Sequence, residues 1–415
     1  MRNMVGQWVQ GDDFWGRERE VRELIRMLDT GQDVLLAAPR RVGKTSLMRE
    51  VSRRLEDRYT CLHVDLEASP TAADAVAELA VAAWQVMPLR ERTQAVFRNA
   101  LSTLKRTDSV ALAELGLRFR EAAAGAWVEK GDALLEQLSL AERPVVLFLD
   151  ELPVLVNRLL HGHDHRITPE RREAADRFLG WLRRTSQRGG RLRLVLSGSI
   201  GLEPVLRHGG LSAHINAYAP LRLDPWDPPT ALDFLRRLST SEGNRLQVED
   251  VALERITSLL GSCVPYHVQL FFHHLRLRDE LERERGRASP CGVTDVEWVY
   301  EHAMMTGGGP HLAHAEERLR TVLFADALLA HDLLTEAAVV GVLQGDAALA
   351  LARARVGDDR DAAAVLRQVL DVLEHDGYLR QRPRPGGHEH VSGLLRDWWR
   401  RRHEAGYVPF AERPR

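Results

Sequence analysis

The stretch Val34–Leu47, VLLAAPRRVGKTSL, decides how the rest of the chain is read. Five apolar residues, Val34 to Ala38, run into a polar turn that closes on Gly43, Lys44 and Thr45. That is a buried strand entering a loop and then a helix, the setting of the pattern G-x-x-x-x-G-K-[ST]. Such a loop wraps an anion with successive backbone N–H groups and the positive end of the following helix. The expected phosphate-binding set is Pro39, Arg40, Arg41, Val42, Gly43, Lys44, Thr45 and Ser46. Lys44 would neutralise terminal phosphates, and the Thr45 hydroxyl would hold Mg²⁺. Ala38 stands where the pattern begins with glycine, a position where a missing side chain mainly eases the turn. Alanine is therefore expected to strain the loop more than to remove a ligand. Of 57 basic side chains only three are lysines, Lys44, Lys105 and Lys130. A compact ammonium suits a phosphate cradle better than a planar guanidinium, so lysine at position 44 supports the reading.

About a hundred residues later, VVLFLDEL (Val145–Leu152) is an apolar strand ending in paired carboxylates. Asp150 suits Mg²⁺, and Glu151 suits the orientation of an attacking water. The bland alternative is that both acids cap the helix beginning LPVLV. The two motifs together point to ATP and Mg²⁺ as cofactors. Short apolar runs at 34–38, 61–68, 145–150, 192–199 and 219–225 alternate with helical patterns. Parallel neighbours need crossover connections, so the expected fold class is α/β, a parallel sheet with helices on both faces.

A chain of 415 residues exceeds one hydrophobic core. With 57 basic against 59 acidic side chains it has no overall field to recruit nucleic acid or an anionic membrane. The cysteines Cys61, Cys263 and Cys291 are odd in number and scattered, which fits neither a disulfide framework nor a zinc motif. No apolar run approaches the ~20 residues that cross a bilayer, and the N-terminus lacks a signal-peptide core. A cytoplasmic protein without membrane contact is expected.

Residues 71–140 read as an Ala/Leu-rich helical excursion from the sheet. Strand-like runs stop after Trp226-Asp227-Pro228-Pro229, and helical patterns follow to about residue 305. Thr306–Pro310, TGGGP, reads as a flexible break. Beyond it, helices, the turn PRPGG and a last helix LLRDWWRRRH outline a winged helix. The expected division is a core at 1–228, a helical lid at 229–305, a winged-helix domain at 306–405 and a tail at 406–415.

These motifs resemble the STAND branch of AAA-like (ASCE) P-loop ATPases, in particular the prokaryotic clade called archaeal-type ATPases. The resemblance covers most of the chain. It rests on FWGRERE (Phe14–Glu20), APRRVGKTSL, LFLDEL, LVLSGS, GSCVPYHVQLFFHHL and LLRDWWRRR. It implies that Gly16, Arg17 and Glu18 lie near the adenine and the loop closing over it. Ser199, or alternatively Ser197, would sense the γ-phosphate, joining Lys44 and Glu151 as the catalytic set. Pro265 and Tyr266 would approach the base from the lid. For Pro265 the plainer reading is a helix start, and for Tyr266 ordinary packing. The resemblance further implies a switch ATPase controlling a protein partner or nucleotide-dependent self-assembly, in bacterial defence or stress signalling. Rival readings are a DNA-loading ATPase similar to origin-recognition initiators, and a nucleotide-binding scaffold without turnover.

One departure matters for rate. The clade often carries an arginine ahead of the fifth strand, where this sequence has LSAH and hence His214. Arg207 and Arg222 lie out of register, so hydrolysis is expected to be slow or to need a partner's arginine. His161, His163 and His165 are read as a solvated loop, and His273 and His274 as surface or interface residues. Residues 377–415 carry nine arginines and four acids, the one place where nucleic acid would bind. The presumed recognition helix is rich in aspartate, which favours protein contact there. Of Trp398 and Trp399, one is expected in the core.

Overall fold

The computed structural model describes every residue except 87–115, 118, 122, 124, 165, 188–189, 242–245, 288, 308, 358–359, 384–385 and 414–415. In chain order its elements begin with α1 (Glu18–Asp29), β1 (Val34–Ala37), α2 (Lys44–Leu55), β2 (Thr60–Asp65), α3 (Ala72–Val86) and α4 (Trp127–Ser139). Next come β3 (Val145–Asp150), α5 (Leu152–His161), α6 (Pro169–Gln187), β4 (Leu192–Gly198), α7 (Leu202–Gly209) and β5 (Ala219–Arg222). The remainder holds α8 (Pro228–Thr240), α9 (Asp250–Leu260), α10 (Pro265–Glu284), α11 (Val293–Val299), α12 (Gly309–Leu323), α13 (Ala327–Val340), α14 (Gly345–Arg355) and α15 (Ala362–His375). It closes with β6 (Leu379–Gln381), β7 (His388–His390) and α16 (Gly393–His403).

The chain divides into two compact units. The sheet unit comprises Glu18–Ala38 and Leu47–Leu223, and the helical unit comprises Met1–Arg17, Pro39–Ser46 and Asp224–Arg415.

In the sheet unit five parallel strands follow the order β2-β3-β4-β1-β5. All five apolar runs of the sequence are strands. The central strands β3 and β4 are buried almost continuously, as a parallel sheet covered on both faces requires, whereas β1, β2 and β5 alternate in burial. Val145 to Phe148 are accordingly almost wholly buried. The strand β4 separates β1 from β3, so Ala37 pairs with Gly198 and Leu149 with Leu196. The excursion at 71–140 is helical at α3 and α4, and its middle lies outside the described residues.

The helical unit buries one continuous core from Trp226 to Trp399, against which Met1, Val5 and Trp15 also pack. Asp227 opens α8 as its N-cap, accepting the Thr230 N–H at 2.7 Å ahead of Pro228 and Pro229. The TGGGP stretch, expected as a flexible break, is only partly among the described residues. Tyr300–Gly307 forms a π-helix and α12 starts at Gly309, with Gly308 outside the described residues.

Both tryptophans of α16 are buried, not one. Neighbouring helical residues point about 100° apart, so burying both requires two covered faces. Helix α16 has them, lying against α13, α9, β7 and the Tyr300–Gly307 turn. Trp399 also donates its indole N–H to Thr335 Oγ1 at 3.0 Å.

His390 on β7 is buried, with Nε2 3.0 Å from the Leu334 carbonyl. The ring therefore donates from Nε2, and its buried Nδ1 has no hydrogen-bond partner. Burial disfavours the imidazolium and pushes the pKa down to about 4. An unfolded histidine titrates near 6.5, so between those values the unfolded chain holds the extra proton. Stability from this group is complete above pH 6.5 and is lost as pH falls toward 4. Between pH 7 and pH 5 the loss is about 2 kcal/mol. Urea midpoints of the wild type and of His390→Gln at both pH values measure it, and the variant is expected to show a flatter dependence.

Candidate functional site

The loop residues 39–46 belong to the helical unit. Ala38, buried at the end of β1, is not among the left-handed residues; within the loop these are Arg41, with φ of 66°, and Gly43, with φ of 100°. The strain expected at Ala38 is thus found at Arg41. The chain leaves β1 extended and turns three residues later, where a glycine is not available. Arg41 is held by its surroundings: its guanidinium lies 4.3 Å over the Tyr266 ring, a cation–π contact. Burial pushes the Arg41 pKa below its ordinary value.

Arg17 braces the same loop from below. Its Nη2 donates to the Val42 carbonyl at 3.2 Å and to the Asp224 carbonyl at 2.6 Å, and the residue is only 6% exposed. Gly16 lets it get there. With φ of 67°, Gly16 has no room for a methyl, which would sit 2.7 Å from Thr230 Cγ2 and 3.0 Å from Trp226 Nε1. Gly16→Ala is expected to cost about 1–3 kcal/mol through left-handed strain and that clash, read as a lower urea midpoint of unfolding.

Lys44 and Thr45 are the first two residues of α2, with Lys44 buried and Thr45 half-buried. The Ser46 hydroxyl accepts the Val9 N–H at 3.1 Å. The segment carrying Val9 is fastened to α10, since Gln269 accepts from Met4 N–H and from Asn3 Nδ2, each at 3.1 Å. Pro265 is buried at the first position of α10, as the plainer reading expected. Gly377 presses on the loop from the β6 side: an added Cβ would lie 3.1 Å from Cβ and Cγ of Pro39. Sequence reading missed both the N-terminal segment and Gly377, because neither carries a motif.

In the sheet unit the carboxyl ends of β3 and β4 assemble a second group. Asp150 Oδ1 accepts the Ser197 hydroxyl at 2.6 Å and the Glu151 N–H at 3.0 Å. Glu151 occupies the N-cap of α5 in a left-handed conformation, φ 57°, yet makes no capping bond. Its Oε2 instead accepts both the N–H and the hydroxyl of Ser199, each at 2.8 Å. The two serines between which sequence left a choice are therefore both engaged, one on each acid. Gly198 between them admits no side chain, since a Cβ would fall 2.3 Å from Pro153 Cδ.

Glu18 opens α1 and pairs with Arg54 on α2 at 2.6 and 2.8 Å. His214 lies 2.8 Å from Asp176 on α6, Arg207 pairs with Glu203, and Arg222 is exposed at the end of β5. His161 is not on a solvated loop: it is buried as the last residue of α5, with His163 exposed and His165 outside the described residues. The apolar face of α5 draws it inward beside His208. His273 and His274 are half-buried on α10.

Among solved structures, the Walker-type ATPase of Pyrococcus abyssi superposes with a TM-score of 0.59 at 17% identity, covering 96% of this chain and 99% of that one. The ORC2 protein of Aeropyrum pernix, solved as ADPNP–ADP complexes, gives a TM-score of 0.52 at 13% identity, covering 95% and 98%. The chain has the fold of a Walker-type P-loop ATPase. At these identities the likeness is one of fold. No family model matches the sequence, and no curated protein does. Among the described residues no helix is long and apolar enough to cross a membrane.

Proposed function

We propose that this protein binds ATP with Mg²⁺, hydrolyses it slowly, and uses the cycle as a switch acting on a protein partner or on its own assembly. The observation that carries the reading is the pairing of Ser197 with Asp150 and of Ser199 with Glu151, in a fold whose β1 runs into a GKT loop. Lys44 and the first-turn backbone of α2 bind the phosphates. The Thr45 hydroxyl at the start of α2 and the Asp150 carboxylate at the end of β3 are each oxygen donors of the kind that would suit magnesium. Magnesium, when bound, neutralises charge developing on the phosphate oxygens. Glu151 orients the attacking water, for which Ser199 has to share or release the carboxylate. Slow turnover follows from histidine standing at position 214, where no arginine can then stabilise the transition state.

The switch reading is supported within the helical unit. The loop is tied there to Tyr266 through Arg41, to Asp224 through Arg17 and to Gly377 through Pro39. A loop that rearranges around phosphates pulls on the proposed lid at 229–305 and the proposed winged helix at 306–405 together. Pro265 and Tyr266 of the lid, with Gly16, would border the base. The resemblance extends the role to bacterial defence or stress signalling.

A protein partner is favoured over DNA because the arginines of the C-terminal region are largely paired. Arg380 and Arg382 meet Glu389, Arg396 meets Asp397, Arg400 meets Glu404, Arg401 meets Glu301 and Arg402 meets Glu316. The test combines calorimetry with ATP, with and without Mg²⁺, and light scattering of the particle in each nucleotide state. Mg²⁺-dependent binding with a nucleotide-dependent mass or copurifying protein is expected. Absence of ATP binding removes the reading, and tight salt-sensitive duplex DNA binding replaces the partner assignment.

A further inference from the structure

Far along the chain from the motifs that handle phosphate, three helices of the helical unit bring two imidazoles and a carboxylate together. Glu316 on α12, His331 on α13 and His403 at the end of α16 each place one potential ligand atom within 4.8 Å of the others. His403 Nε2 is 3.6 Å from Glu316 Oε2, and His331 Nε2 is 3.9 Å from Glu316 Oε1. The two rings meet edge to face with centroids 4.4 Å apart. All three residues are half-buried, and His403 Nε2 is a buried nitrogen without a hydrogen bond. Among the described residues no other histidine, cysteine and acid cluster gathers in this way.

We propose that Glu316, His331 and His403 form a zinc site with three protein ligands and one open position. The ligand set selects the metal: imidazole nitrogens suit Zn²⁺, whereas Mg²⁺ and Ca²⁺ take oxygen. With metal–ligand bonds of about 2.0–2.1 Å, tetrahedral ligands sit roughly 3.3–3.4 Å apart, so the carboxylate–imidazole distances need to close by a few tenths of an ångström. The surroundings support the ligands. His331 Nδ1 faces Asp332 Oδ1 at 4.0 Å, and Asp332 is itself held by Arg355 at 2.6 and 3.2 Å. A carboxylate behind a ligating imidazole orients the ring and raises its basicity. Trp399 lies against both rings, with centroids 5.3 Å from His331 and 5.1 Å from His403, which limits their rotation. Arg402 reaches Glu316 Oε2 at 3.2 Å from a side chain that is 57% exposed, and it turns outward when the metal takes that oxygen. The bound ion clamps α16 to α12 and α13.

The test uses the full chain without an affinity tag, in excess Mg²⁺ to fill oxygen-only sites, with zinc competed against a chromogenic chelator. One zinc per chain is expected, bound at least 100-fold more weakly by His331→Gln/His403→Gln and about 10-fold more weakly by Asp332→Asn. Zinc is expected to raise the unfolding temperature of the wild type and not of the double variant. X-ray absorption of the zinc-loaded wild type needs no variant and should show nitrogen and oxygen neighbours. The proposal is overturned if the wild type takes up no stoichiometric zinc, if the double variant binds as tightly as the wild type, or if the absorption spectrum shows sulfur ligands from cysteine.

Discussion

Glu151→Gln is expected to leave ATP binding within a few-fold of wild type while slowing phosphate release about 10²–10⁴-fold, the range for loss of a positioned base. The side chain keeps its size and its Oε atom can still accept from Ser199, so the end of β4 stays in place. What is removed is the carboxylate charge that, in the proposed mechanism, orients and deprotonates water. Single-turnover phosphate release, paired with calorimetry, separates the two effects. Unchanged turnover would move the chemistry elsewhere and leave Glu151 as the opening residue of α5, its N-cap position without a capping bond.

Lys44→Ala should act on the earlier step. Lys44 is the first residue of α2 and is buried, so its ammonium is delivered to one place and water cannot substitute for it at full strength. Removing such a preorganised positive donor costs on the order of 10²–10³-fold in turnover, and here it should also weaken binding of the triphosphate. A nucleotide titration followed by calorimetry reads the loss directly. Equal affinity in the variant and the wild type would contradict the assignment of the loop. In the switch reading the same variant also loses any nucleotide-dependent change of particle mass, whereas Glu151→Gln keeps it.

The sheet was legible because its strands fall in short apolar runs, most plainly in β3 and β4, where burial on both faces demands that pattern. The acids at the end of β3 were legible for the same reason: two charges closing an apolar run are conspicuous. Strand order was not, since β4 inserts between β1 and β3 only through long connections that leave no local mark. Backbone strain was placed at Ala38 when it resides at Arg41, because a pattern names residue types and not dihedral angles. The helical character of Tyr300–Gly307 was hidden behind glycines that read as a break. Tertiary packing decides such segments, and periodicity does not report it. Likewise Glu316, His331 and His403 are separated by tens of residues, and nothing in their spacing foretells that they meet.

The turn at Gly377 leads into the β6–β7 hairpin and at the same time rests on Pro39. If the loop binds nucleotide as proposed, a binder that grips the hairpin and shifts this turn changes the affinity for nucleotide. Thermodynamic linkage then requires the nucleotide to change that binder's affinity by the same factor. The glycine is thus a fulcrum with two loaded ends. A side chain there would crowd Pro39 and strain the left-handed turn, and in the proposed switch it would bias both ends at once.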